Sequence, residues 1–368
     1  MTKGDETVGA PEQAVPDLRQ IYFYLTEGCN CACRHCWLAP KLDPTASKTD
    51  VLPLETFEAV IAEAKPLGLQ AVKLTGGEPL MHPQILDILG VVRRERLSLS
   101  IETNGMQCTP EVAEAIAACE DRFVAVSVDG VDAATHDYVR NLPGAYDRAL
   151  AGIAAIESAG IAPQIIMSVM RCNVDQIDDL VHWAENAGAE SVKFNIVQPT
   201  ARGRALSDGA DGLAVEEYIE IGRRVERDLV PHVRIPLHYS YPAAFQSLSR
   251  LAAEGGGGTC GIKGLIGVIA TGEYALCGVG QHAPELVFGV AGRDPLATLW
   301  SHDAVLQSLR DGLPDQLEGV CSRCVMRYRC LGSCVAQNYY RSRNLLAPFW
   351  FCEQAEEKGL FPQSRKIV

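Results

Sequence analysis

Positive charge is scarce in this chain: 33 lysines and arginines stand against 46 aspartates and glutamates, a formal net charge of −13. That balance argues against a nucleic-acid partner, whose phosphates require a basic face. Long apolar runs are missing too. None approaches the roughly 20 residues that a membrane span needs, so no membrane partner is expected. The opening stretch, MTKGDETVGAPEQAVPD, has no apolar centre and cannot act as a secretory signal. It reads as a disordered lead-in over residues 1–17 of a cytoplasmic protein.

What is present is a globular composition, 47% hydrophobic and 21% charged. At 368 residues the chain exceeds the size at which a single core usually stops growing, which predicts one large domain and a smaller one. Cysteine is abundant, with 14 in all. Disulfides belong to oxidising compartments and small secreted scaffolds. In a cytoplasmic protein, clustered cysteines point instead to metal.

Between about residues 20 and 200, β-rich runs alternate with amphipathic helical stretches. The strand candidates are QIYFYLT, AVKLTGG, SLSIETNG, FVAVSVDG, APQIIMSVM and SVKFNIVQP. Apolar runs bounded by turn residues and separated by helices indicate parallel strands in βα units. Six such units make an open sheet or a partial barrel, and either gathers its chemistry at the C-terminal strand ends. LTGGEP, ETNG, SVDG and VQPTARG all fall there. From residue 206 the pattern changes, and Gly255 to Gly258 read as a flexible connector. Beyond it, GVIATGEYALCG predicts a hairpin turning at Thr271-Gly272. The rest of residues 259–368 has too few apolar runs for a large core, and such regions are usually held by metal.

The first cysteine group, Cys29, Cys33 and Cys36, is spaced C-x3-C-x2-C within TEGCNCACRHCW. Three thiolates in one loop suit three irons of a [4Fe–4S] cluster and leave the fourth iron open. The alternative is a structural zinc, which takes four ligands and would need His35 or Cys31 as the fourth. This spacing, followed in order by GGEP, ETNG and SVDG at strand ends, resembles the radical S-adenosylmethionine (SAM) superfamily over residues 20 to about 205. The resemblance implies a partial (β/α)6 barrel of the radical SAM type, with its core at residues 18–205. It implies SAM contacts from Gly76, Gly77 and Glu78 (methionine amino group), from Ser127 and Arg140 (ribose and carboxylate) and from the backbone near Val197 (adenine). His35 and Asn104 belong to the same expected set. One-electron cleavage of SAM at such a cluster yields a 5′-deoxyadenosyl radical that abstracts hydrogen from an unactivated C–H, with the fold supplying orientation and dryness. Cys31 is a bystander in that scheme.

The second group is Cys260, Cys277, Cys321, Cys324, Cys330, Cys334 and Cys352. With Gly272, these spacings resemble the SPASM extension of radical SAM maturases, which would occupy residues 259–368 after a bridging segment at 206–258. By that resemblance, Cys321, Cys324, Cys330 and Cys352 hold one auxiliary [4Fe–4S] cluster and Cys260, Cys277 and Cys334 another. Three [4Fe–4S] clusters are therefore expected alongside SAM. A pair of zinc ribbons is the competing reading. Seven thiolates are one short of two full clusters. Cys108, Cys119 and Cys172 are the spare candidates, although Cys119 in an alanine-rich helix reads as core.

Two absences narrow the family. Sulfatase-maturing relatives carry an acidic residue directly after the second SPASM cysteine, where this chain has Gly278, so that activity is disfavoured. Fewer than 20 residues precede the first strand, too few for a leader-gripping winged helix, so a separate peptide-recognition protein would present any leader-dependent substrate. The expected function is radical SAM modification of a peptide or protein, giving a crosslink, an oxidation or an epimerised centre, with metalloenzyme maturation as a particular case. A flavodoxin or ferredoxin would supply electrons, and no catalytic base is assigned. The rivals are a radical SAM enzyme acting on a small molecule such as a tetrapyrrole, and a non-enzymatic iron–sulfur carrier. The first of these would use a basic pocket, for which Arg323, Arg327, Arg329, Arg341 and Arg343 are candidates.

Overall fold

The computed structural model describes residues 15–45, 47–207, 209–253 and 260–367. Most of the expected lead-in, up to residue 14, and the Gly255–Gly258 connector lie outside the described residues. Six strands pair side by side in chain order, all parallel: β1 (Gln20–Tyr24), β2 (Ala71–Thr75), β3 (Ser98–Thr103), β4 (Arg122–Ser127), β5 (Gln164–Val169) and β6 (Ser191–Ile196). These are the six runs read from the sequence. A strand's side chains alternate between faces, and that period decides what goes where. Leu99, Ile101 and Thr103 of β3 are buried, while Ser98, Ser100 and Glu102 are half-buried on the opposite face. On β6, Val192, Phe194 and Ile196 are buried and Lys193 and Asn195 are not.

The apolar face packs on helices. In α1 (Leu54–Ala64) the buried residues Phe57, Val60, Ile61 and Ala64 recur at helical spacing, and the Phe57 ring lies 4.4 Å from that of Phe23 on β1. In α2 (Pro110–Ala117), Pro110 opens the helix and Thr109 caps it by accepting from the Val112 N–H. The helix α3 (Ala133–Arg140) is capped by Asp132 and stopped by Asn141 at φ 53°. The polar face curves around a lumen: Lys193 on β6 acts electrostatically on Glu102 of β3, with two strands between them. In a flat sheet those strands would stand about 14 Å apart.

Two further parallel strands lengthen this sheet beyond the expected six. β7 (Leu237–Tyr239), from the bridging segment, pairs with β6, and β8 (Leu265–Val268) pairs with β1 on the other side. From β8 the chain turns back through β9 (Glu273–Ala275) and β10 (Val287–Val290), both antiparallel. The turn is where the sequence puts it, with Gly272 at φ +83°. The sheet runs β10-β9-β8-β1-β2-β3-β4-β5-β6-β7.

The expectation of a cysteine-rich end with little core of its own needs correcting. Trp300, Leu306, Leu309, Val320, Phe349 and Phe351 are buried in the same continuous core as the barrel residues Ile21 and Phe23. Apart from the apolar run at Phe349, Trp350 and Phe351, they are spread thinly over short helices, a density too low to register as a period. Polar ties accompany them: Trp300 Nε1 donates to the Pro16 carbonyl at 2.7 Å, and the Leu296 N–H to Glu63 on α1 at 2.8 Å. Among the described residues, no helix is long and apolar enough to cross a membrane.

Candidate active site and cysteine clusters

The loop leaving β1 carries the first cysteines and is braced against the loop leaving β2. Gly77 N–H donates to the Thr26 carbonyl at 2.9 Å, and Glu78 N–H to the Gly28 carbonyl at 3.1 Å. The contact is so close that a Cβ on Gly77 would stand 1.9 Å from the Gly28 carbonyl oxygen, and Gly76 has φ +125°. Only glycine meets both demands. Cys29, Cys31 and Cys33 are buried together there with Cys36 half-buried beside them. None of the 14 cysteines is paired in a disulfide.

Around this cluster the sequence-expected residues take distinct places. Glu78 accepts from Thr103 Oγ1 at 2.6 Å, the Asn104 N–H at 2.8 Å and the Leu80 N–H at 3.1 Å. Its carboxylate therefore ties the end of β2 to that of β3. Burial pushes the Glu78 carboxyl above its usual range, against the pull of those donors. Asn104 Nδ2 donates to Asn30 Oδ1 at 2.7 Å, inside the cysteine loop. Ser127 closes β4, half-buried on the lumen side. Val197 is buried, and its N–H donates to the Tyr218 hydroxyl at 3.2 Å.

Arg140, at the end of α3, is buried and faces the cluster: one guanidinium nitrogen donates to Cys33 Sγ at 3.6 Å. Another lies 2.8 Å from Asp129 Oδ2, in a close ion pair whose angle falls short of a hydrogen bond. Burial, the largest single influence, opposes ionisation of Asp129, but the charges of Arg140, His35 and His136 and the Ser168 N–H together hold the carboxyl below its usual value. The Cys33 thiol is held well below its ordinary range, first by its hydrogen bond with Cys31 and then, against burial, by Arg140. His35 Nδ1 is 4.0 Å from Asp129 Oδ2 without a hydrogen bond.

Buried polar atoms lacking partners gather on this loop and its wall: Asn30 Nδ2, His35 Nδ1, Arg140 Nε, Thr200 Oγ1 and a terminal Arg202 nitrogen. Buried polar groups normally find partners. Such a concentration beside three thiols fits a polar, ionic ligand and an iron–sulfur cluster. Asp129, Asn30 and Arg202 were not among the expected site residues. Arg202 donates to the Cys33 carbonyl at 3.0 Å and the Pro40 carbonyl at 3.3 Å. The signal for Asp129 and Arg202 lay in SVDG and VQPTARG, whose strand-end position marked every polar residue in them.

The seven later cysteines fall into two places. Cys260, Cys277 and Cys334 line one cavity of about 140 Å³, together with Tyr22, Lys73 and Glu102 of the barrel lumen. Cys321, Cys324, Cys330 and Cys352 surround a second, small cleft. Burial, the largest influence, pushes Cys260 and Cys321 up to about 12. Thiols in apolar surroundings stay protonated until a metal displaces the proton, and an all-sulfur donor set suits iron–sulfur chemistry. Among the described residues, no three Cys, His, Asp or Glu groups converge on a point that a single metal ion would occupy. The spare cysteines lie elsewhere. Cys108 and Cys119 are in the main core, Cys172 is exposed, and none lines either cavity.

Four of the five arginines offered as a basic pocket are engaged with other side chains. Arg323 pairs with Glu356 at 3.0 Å, Arg341 with Glu353 at 3.9 Å and Arg343 with Glu285 at 2.7 Å. Arg327 stacks over Tyr328.

Residues 23–184 match the Radical SAM superfamily, a match that implies an enzyme using SAM and a [4Fe–4S] cluster. Curated relatives extend the similarity along nearly all of it. An AdoMet-dependent heme synthase of Methanosarcina barkeri is 29% identical over 351 residues, covering 91% of this chain and 96% of the relative. The mycofactocin maturase MftC of Mycolicibacterium smegmatis is 27% identical, covering 89% and 81%. Among solved structures, Streptococcus suis SuiB bound to precursor peptide SuiA superposes with a TM-score of 0.71 at 15% identity, over 92% of this chain and 76% of that one. Native anSMEcpe with bound AdoMet and the Kp18Cys peptide gives 0.69 at 15% identity, over 93% and 96%. The fold is thus the radical SAM partial barrel with a C-terminal extension.

Proposed function

We propose that this enzyme reductively cleaves SAM and abstracts hydrogen from a residue of a peptide or protein substrate. The observation that carries this reading is the cavity in which the barrel lumen, through Tyr22, Lys73 and Glu102, meets Cys260, Cys277 and Cys334. A substrate seated there lies between the SAM side of the barrel and a second redox site. When bound at Cys29, Cys33 and Cys36, the first cluster supplies the electron that splits SAM into its hydrogen-abstracting form.

The chain's own residues do the rest. Arg140, held ionised by Asp129, orients the ligand's carboxylate; the Gly76-Gly77 backbone receives its amino group, and Ser127 and the Val197 carbonyl meet the nucleoside. Asn104 and His35 line the same pocket. In this reading Cys260, Cys277 and Cys334 hold one auxiliary [4Fe–4S] cluster and Cys321, Cys324, Cys330 and Cys352 another, with electrons entering from a flavodoxin or ferredoxin. The precursor peptide in SuiB and the peptide in anSMEcpe support a peptide substrate by shared fold.

A second reading, action on a tetrapyrrole, draws on the heme synthase relative matched over 96% of its length. One experiment tests both. Anaerobically reconstituted protein is given SAM and dithionite, and 5′-deoxyadenosine is measured alone, with candidate precursor peptides and with porphyrins. Stimulation by a peptide supports the first reading, and stimulation by a porphyrin alone replaces it with the second. Zinc in the protein and no SAM cleavage would sink both.

A further inference from the structure

Cys260, Cys277 and Cys334 line the cavity at the barrel lumen, and a four-iron cluster offers one more iron than these thiols can hold. The same walls carry a further group suited to iron. His282, shortly after Cys277, is half-buried there. Its Nε2 lies 2.8 Å from the Leu38 carbonyl oxygen. A carbonyl can only accept, so Nε2 carries the proton and the neutral ring keeps its lone pair on Nδ1. Nδ1 makes no hydrogen bond among the described residues. An imidazole whose far N–H is anchored on a backbone carbonyl is the arrangement of a metal-ligating histidine.

The surroundings hold that ring in place. It follows the tight turn Gly278–Gln281, where a Cβ on Gly278 would collide with the Tyr24 ring and one on Gly280 with Ala275. The His282 N–H donates to the Val279 carbonyl at 2.9 Å. The ring meets Tyr340 edge-on, with 6.1 Å between centroids and 81° between planes. Two competing side chains of the cavity are committed elsewhere. Glu102 Oε1 lies 2.7 Å from Lys73 Nζ, and Gln337 Oε1 accepts from Trp350 Nε1 at 3.0 Å. Hydroxyl groups in these walls must shed a proton to bind iron as anions, which a neutral imidazole need not.

We propose that His282 Nδ1 is the fourth protein ligand of the auxiliary cluster held by Cys260, Cys277 and Cys334. The proposal rests on the reading of those cysteines as a cluster site. It completes the ligand count that seven thiolates leave one short, without an eighth cysteine. A neutral imidazole in place of a thiolate takes one negative charge from the cluster, and such a replacement raises the reduction potential. Because Leu38 lies just beyond Cys36, the Nε2–H bond also ties this ligand to the loop of the first cluster.

The full chain is grown with histidine carrying the heavy nitrogen isotope, reconstituted anaerobically and reduced, and pulsed EPR records nitrogen coupling to the clusters. The expected result is the coupling of a directly bound imidazole, altered by the isotope. His282→Cys should keep about twelve irons per chain, lose that coupling and move one cluster to a more negative potential. Full iron without histidine coupling in the wild type overturns the assignment, as does a coupling that persists in His282→Cys or a potential that stays put. The wild-type spectrum decides even if the variant folds poorly. Iron counting in Cys277→Ala reports separately on the underlying reading. No loss of iron there removes the cluster and its ligand together, whereas a loss of about four irons without histidine coupling in the wild type sinks the ligand alone.

Discussion

Arg140 reaches Cys33 with one arm, 3.6 Å from the sulfur, and Asp129 with another at 2.8 Å. All three side chains are buried. A cation placed between a carboxylate and a cluster-loop thiol ties SAM-side electrostatics to the stability of the fold.

Removing the negative partner should therefore be costly. Asp129→Asn leaves a buried guanidinium without its counter-charge, and the expected loss is about 3–5 kcal/mol of stability. Urea unfolding of the apo chain measures it. The pH dependence follows from the depressed Asp129 value. Its contribution is full above the unfolded carboxyl value of about 3.9 and is lost as pH falls through the lower folded value. Wild type should lose stability over that acid window more steeply than Asp129→Asn, and parallel curves would contradict the coupling.

The two loops at the barrel mouth cannot accept a methyl group between them. In Gly77→Ala the new Cβ would stand 1.9 Å from the Gly28 carbonyl oxygen, whereas at Gly90 nothing lies within 4 Å. Gly77→Ala should fold yet lose the iron held at Cys29, Cys33 and Cys36, read as a drop of about four irons per chain. Gly90→Ala, in a helix interior, should keep full iron and gain about 0.5–1 kcal/mol. Equal iron in both variants would show that the loop contact is dispensable.

The cysteines can be sorted by iron content. After anaerobic reconstitution the full chain should hold about twelve irons if every site takes a four-iron cluster. Cys277→Ala and Cys352→Ala should each remove roughly four, by separate losses that add. Cys119→Ala and Cys172→Ser should remove none, since neither cysteine lines a cluster cavity.

Cys31 lies against Cys29 and Cys33 and is almost fully buried, yet the superfamily's chemistry needs an iron that no protein thiol caps. Cys31→Ala should keep its iron and cleave SAM, at a stability cost of about 1 kcal/mol for the small void. Cys33→Ala should do neither. Loss of both properties in Cys31→Ala, measured by iron content and 5′-deoxyadenosine, would mean that Cys31 is a ligand.

The six barrel strands were legible because each is a short apolar run ended by a motif. The cysteine groupings were legible through their spacing. Three things were not. The pairing of β8 with β1 joins segments more than 240 residues apart in sequence. The lumen charges Lys73, Glu102 and Lys193 were hidden for a different reason. Lys73 interrupts an apolar run while Glu102 and Lys193 alternate with apolar residues, and only the strand pairing reveals that the three lie on one face of the sheet. The brace made by Glu78 escaped notice because its partners, Thr103 and Asn104, arrive from the next strand.

The parallel pairing of β8 with β1 bears on how this architecture can be taken apart. A chain cut before residue 260 would bare the backbone donors and acceptors along one side of β1, an open edge ready to recruit other copies. The cysteine-bearing end is thus a covering for the barrel as well as a holder of thiols. Exchanging it for the equivalent piece of a relative would succeed only where the incoming strand restores that seam.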